Sequence, residues 1–184
     1  MRYLAIFVAV LAVFLSGCLI KEKEEVKIKL TPGGGEIWVT ETGWKSSQEE
    51  EKGILEDFDK LVNKYEKDEL EKDFAEIGVY ILDKRIYIEN DKIITEYHGL
   101  LPSGSIAYLL LFKEANEEII HVMDSPKDAE IITNGEILRT QKNTIIVWPS
   151  NIEELTWSYI DNEKMNKPDN LTELFKKHKE EQNK

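Results

Sequence analysis

The stretch Val79-Tyr80-Ile81-Leu82-Asp83-Lys84-Arg85-Ile86-Tyr87-Ile88-Glu89-Asn90-Asp91-Lys92-Ile93-Ile94-Thr95-Glu96-Tyr97-His98 sets the fold class. Isoleucine and tyrosine recur through it, side chains whose branched or aromatic bodies suit a pleated surface. Asn90-Asp91 in its middle is the kind of polar pair that turns one strand back on the next. The reading is three strands, at residues 78–82, 85–89 and 92–98.

The strand period continues downstream, at 105–113, 118–123, 129–133, 136–140 and 144–148, with polar turns at 114–117, 134–135 and 141–143. Short connections of this kind predict an antiparallel meander. Ile106 to Phe112 and Ile145 to Trp148 are apolar on both faces, as central strands covered on each side would be. Upstream, Val26, Ile28 and Leu30 alternate with Lys27 and Lys29, and Thr31-Pro32-Gly33-Gly34-Gly35 turns the chain into a second strand at 36–42. A helix is expected from Ser47, where Ser47-Gln48-Glu49-Glu50 fits a capping box and Ile54, Leu55, Phe58, Leu61, Val62 and Tyr65 recur at helical spacing. A second follows from Asp68 to about Glu76, and two more are expected at 151–162 and 169–181, separated by Pro168. The fold class is therefore α+β: a mostly antiparallel meander sheet with one or two helices in the N-terminal half and helices at the C-terminal end.

The N-terminus carries the most specific motif. Met1-Arg2 precedes an apolar run from Tyr3 to Leu15 and then Ser16-Gly17-Cys18, a charged start, an apolar body and small residues at a cleavage point. Leu15-Ser16-Gly17-Cys18 resembles the lipobox of prokaryotic membrane lipoproteins at all four positions. The resemblance implies cleavage between Gly17 and Cys18, a lipid joined to the Cys18 thiol, and a domain held outside the cytoplasm on the cell membrane. Two lipid chains suffice for stable anchoring. Tyr3 to Ile20 also approaches the ~17 apolar residues of a short membrane helix, so an uncleaved signal anchor is the rival reading. The resulting domain plan is a signal peptide at 1–17, a lipid-anchored tether at 18–25 and a single α+β domain at 26–184.

Charge narrows the partners. Cleavage at residue 17 removes Arg2, so the net charge of −12 becomes −13. Such an acidic chain is unsuited to nucleic acid, whose phosphates demand a basic face. Cys18 is the single cysteine, so no disulfide can form within the chain. Abundant Glu and Lys with scarce Met and Cys match the composition of hyperthermophile proteins.

Candidate chemistry is sparse, and no cofactor motif is present. His98, His121 and His178 are the three histidines, none with a second ligand at zinc spacing. His121 falls on a strand face with Ile119 and Met123, where a hydrogen-bonded sheet histidine is expected. The segment 98–105 mixes an imidazole with Ser103 and Ser105, so it is read as a loop that could hold a ligand or, with His98 as base, a hydrolase site. Trp38 and Trp148 are expected in the core, whereas Trp44 in Thr42-Gly43-Trp44-Lys45 is the loop aromatic expected to contact a ligand. Asn170-Leu171-Thr172 is a glycosylation sequon. Together these predict a non-catalytic module that binds an envelope protein or a small ligand.

Overall fold

Asn90 and Asp91 have φ of 51° and 61°, the two left-handed conformations that a type I′ turn requires. The turn joins the two longest strands of a computed structural model that describes residues 19–103, 111–113, 118–123, 129–140 and 143–183. In chain order its first half contains β1 (Leu19–Ile20), β2 (Lys23–Thr31), β3 (Gly34–Thr42), β4 (Lys45–Ser46), α1 (Glu51–Glu66), α2 (Glu69–Glu76), β5 (Tyr80–Glu89) and β6 (Lys92–Pro102). The second half adds β7 (Leu111–Lys113), β8 (Glu118–Met123), β9 (Ala129–Thr133), β10 (Glu136–Arg139), β11 (Thr144–Pro149), β12 (Glu154–Asp161), α3 (Asn162–Met165) and α4 (Thr172–Gln182). The α+β class and the antiparallel pairing are as the sequence predicts.

The main sheet has six strands in the order β5-β6-β3-β2-β12-β9. Val26 and Ile28, Ile37 and Val39, Tyr97 and Leu101, and Leu155 and Trp157 all point to one face and are buried. That face is covered in two ways. At the β5 end α1 and α2 pack on it, placing Phe58, Leu61, Val62, Tyr65, Leu70 and Phe74 in the core. At the β12 end a four-stranded sheet, β10-β11-β8-β7, brings Ile119, Ile146 and Trp148 against Trp157, with the two indole centroids 5.9 Å apart. Asn134 ties the layers together: its Oδ1 accepts from Trp148 Nε1 at 2.8 Å and from Thr156 N at 2.9 Å. Gly34 has φ of 147° and lies so close to β6 that a Cβ would meet Leu101 O at 2.1 Å, which only glycine permits.

Several elements depart from expectation. The expected helix at 151–162 is the strand β12 followed by the single turn α3. Leu155 and Trp157 face the core while Thr156 and Ser158 face out, and this period of two, with β2 and β9 offering backbone partners on both sides, favours the strand. The expected strands at 78–82 and 85–89 are one strand, interrupted by a register shift between Ile81 and Asp83 that leaves Leu82 54% exposed. α1 starts at Glu51 rather than Ser47 and has no side-chain cap bond at Glu50. α4 starts at Thr172, where Asp169 Oδ1 accepts from the backbone of Leu171 and Thr172.

Residues 19–25, expected as a tether, belong to the fold. β1 pairs with β4, β2 begins at Lys23, and the intervening Glu22 is 5% exposed. The reason is electrostatic as well as topological, because Glu22 reaches Lys45 at 2.8 Å and Lys92 at 2.6 Å. The signal segment, Gly17, Cys18, Ser105 and the greater part of the strand expected at 105–113 lie outside the described residues.

Candidate functional site

The helices and the second sheet cover one face of the six-stranded sheet, so the residues of opposite parity form its outer face. Along β3 these are Glu36, Trp38, Thr40 and Thr42, all half-buried. The cross-strand register sets His98 of β6 on one side of Trp38 and Lys27 of β2 on the other. His98 stacks on the indole with ring centroids 4.6 Å apart and an interplanar angle of 8°, and its Nε2 lies 3.0 Å from Glu36 Oε2. Lys27 Nζ sits 5.6 Å from the indole centroid and pairs with Glu154 at 2.7 Å. With both flanks engaged, Trp38 is a fixed wall.

Beside that wall runs a groove of about 550 Å³. Trp38 and Ile132 line it from the outer face as apolar side chains, with Val26 and Trp157 also at its wall, Thr40, Thr156 and Ser158 are among its hydroxyls, and Glu25 and Lys27 supply charges of both signs. Ile132 is 57% exposed, a branched apolar side chain with no cover from the described residues on this face. Further along the same face Tyr87 donates to Glu96 at 2.7 Å, and burial together with that bond pushes the phenol up to about 12. Glu96 also pairs closely with Arg85.

The expected site residues do not converge. His98 lies within β6, which runs on to Pro102, rather than opening a loop. Ser103 lines a separate groove of about 470 Å³ at the turn between β2 and β3, with Leu30, Pro32, Ser150 and Ile152. It is five positions along the chain from His98, roughly 16 Å in extended backbone. Trp44 is 7% exposed and donates its indole N–H to Thr95 Oγ1 at 2.9 Å on the core side of the sheet. It is therefore a core residue and shares no pocket with His98. Asn170 is held by the backbone of Ser46, accepting at 2.9 Å through Oδ1 and donating at 3.0 Å through the Nδ2 that a glycan would take.

His121 is buried on the face it shares with Ile119 and Met123, stacked on Trp157 at 4.6 Å. His178 lies 3.0 Å from Glu66. Among the described residues no three His, Cys, Asp or Glu side chains gather as metal ligands.

Trp38 is the residue that sequence reasoning assigned to the wrong side. Ile37-Trp38-Val39 looks like a continuous apolar run, but Glu36, Thr40 and Thr42 share the parity of Trp38 and mark its face as the outer one. No protein-family model, curated protein or solved structure matches the chain.

Proposed function

We propose that the chain is a lipid-anchored, non-catalytic binding module displayed outside the cytoplasmic membrane, with the groove beside Trp38 as its contact surface. The observation that supports the binding surface is the outer face of the six-stranded sheet, left uncovered by the described residues, where a rigid aromatic wall, an exposed isoleucine and short hydroxyls line one groove. Rigid aromatics with adjacent hydrogen-bonding groups suit recognition at low entropic cost. An extended peptide of an envelope protein fits this chemistry, with Glu25 and Lys27 accepting either sign of side chain.

Two measurements test the reading. The domain beginning at Leu19 is titrated with peptides from the native envelope, beside a Thr156→Trp variant that fills the groove. Binding by the wild type that the variant loses is the expected result, and no binding by either removes the proposal. Mass spectrometry of the membrane fraction should find a lipidated N-terminal Cys18 peptide, and Cys18→Ser should abolish it and leave the signal segment uncleaved. Recovery of an intact segment 1–20 from the wild type would establish the uncleaved anchor instead.

A further inference from the structure

The domain's first described residues leave no slack behind the anchor. Leu19 and Ile20 pair with Ser46 and Lys45, Glu22 N donates to Thr42 O at 3.0 Å, and Asp161 N donates to Glu22 O at 2.9 Å. Lys45 then locks the neighbouring segment in place. Its Nζ donates to the carbonyls of Lys164, Met165 and Lys167 at 3.2, 3.1 and 2.6 Å while pairing with Glu22. One peptide link, about 3.8 Å between Cα atoms, separates Cys18 from this assembly.

We infer that the domain sits flush on the lipid surface in one orientation, with α3 and the residues after it, 162–168, against the headgroups and the β2–β3 turn pointing away. The inference rests on the anchor reading in its lipidated form, in which Cys18 carries the lipid and Leu19 is the first residue of the fold. A lipid at residue 18 fixes that point at the bilayer surface, so whatever is hydrogen-bonded to β1 and β4 must lie beside it. Met165 is 46% exposed in that segment with exposed Lys167 nearby. An apolar tip beside a cation suits the boundary between headgroups and acyl chains. From this pole β2 runs nine residues to the Pro32-Gly33 turn, roughly 30 Å away. The Ser103 groove at that turn therefore faces outward, and the Trp38 groove stands upright along the side of the domain.

The test uses the full chain in native membranes. With Cys18 acylated, a cysteine introduced elsewhere is the one free thiol. Met165→Cys and Gly33→Cys each carry a donor dye, and the lipid surface carries an acceptor. A Cβ at Gly33 would meet nothing within 4 Å, and Met165 is exposed, so both substitutions leave the fold intact. Quenching at 165 should exceed that at 33 by at least about twofold, given the roughly 30 Å offset. A ten-residue Gly-Ser linker inserted between Cys18 and Leu19 should abolish the difference. Equal quenching at the two positions in membrane-bound protein overturns the orientation alone. Recovery of the unlinked protein in the soluble fraction overturns the anchor reading and the orientation with it.

Discussion

Glu41 is 1% exposed, yet it is an ionisable side chain on the core face of β3. Its Oε2 accepts from Tyr65 OH at 2.7 Å and from Thr95 Oγ1 at 3.0 Å, while Lys21 pairs closely with Oε1. Burial works to raise its pKa, but the Lys21 charge and the hydrogen bonds from Lys21 and Tyr65 bring it below the usual carboxylate value. A buried charge is tolerated when it is fully paired and costly when one partner is lost. Glu41→Ala should therefore cost roughly 3–5 kcal/mol, measured by urea unfolding, because it removes at once the buried acceptor of Tyr65 and Thr95 and one of the two carboxylates paired with Lys21. A loss below about 0.5 kcal/mol would show that the cluster is only incidental. This cluster also explains why Trp44 was illegible from its loop sequence. Nothing in Thr42-Gly43-Trp44-Lys45 announces Thr95, 51 residues away, as the acceptor that draws the indole inward.

At the level of elements, one carboxylate at the end of α1 gathers three side chains of α4, beside the apolar packing of Phe175 in the core. Glu66, at the end of α1, receives Lys179 at 2.6 Å, Gln182 at 2.8 Å and His178 at 3.0 Å. Burial pushes its pKa up, but these three hydrogen bonds and the Lys179 charge carry it down to about 2. The folded value lies below the unfolded one of about 4.3, so the contribution is fully present above that pH and is lost as pH falls towards 2. Glu66→Gln should remove stability at neutral pH and flatten the acid limb between about 4.3 and 2, as followed by thermal unfolding across pH. An unchanged acid limb would place that pH dependence elsewhere. Elements of this kind were partly legible. The hairpin at Asn90-Asp91 and the strands at 118–123 and 129–133 were readable because turn chemistry and alternation agreed. β12 was misread because strand status there depends on β2 and β9 as partners, one more than 120 residues earlier in the chain.

Over the whole molecule, the six-stranded sheet is assembled from early and late segments of the chain. β2 and β3 occupy its centre, with β12, the last strand, beside β2, so segments more than 120 residues apart share one ladder. Residues 19–22, which sequence reasoning placed in a lipid-anchored tether, consequently bear on the stability of the domain. A soluble form beginning at Lys23 would lose β1, Lys21 and Glu22 together. That leaves Glu41 buried without its cation and Lys45 buried without its carboxylate. The truncated form should be less stable than one beginning at Leu19 by about 3 kcal/mol or more, by analogy with other buried pairs stripped of one partner. Glu41→Gln made in the truncated form should recover part of that loss, since it removes the unpaired charge while keeping an acceptor for Tyr65 and Thr95. The pH dependence gives a second signature. Lysine partners lower the pKa of both Glu22 and Glu41 against the opposing effect of burial, so their contribution is present above the unfolded carboxylate value and fades as pH falls below it. The gap between the two forms should narrow in acid. Equal midpoints for the forms beginning at 19 and 23 at neutral pH would show that the domain folds independently of its first four residues, and the flush seating on the membrane would lose its structural basis.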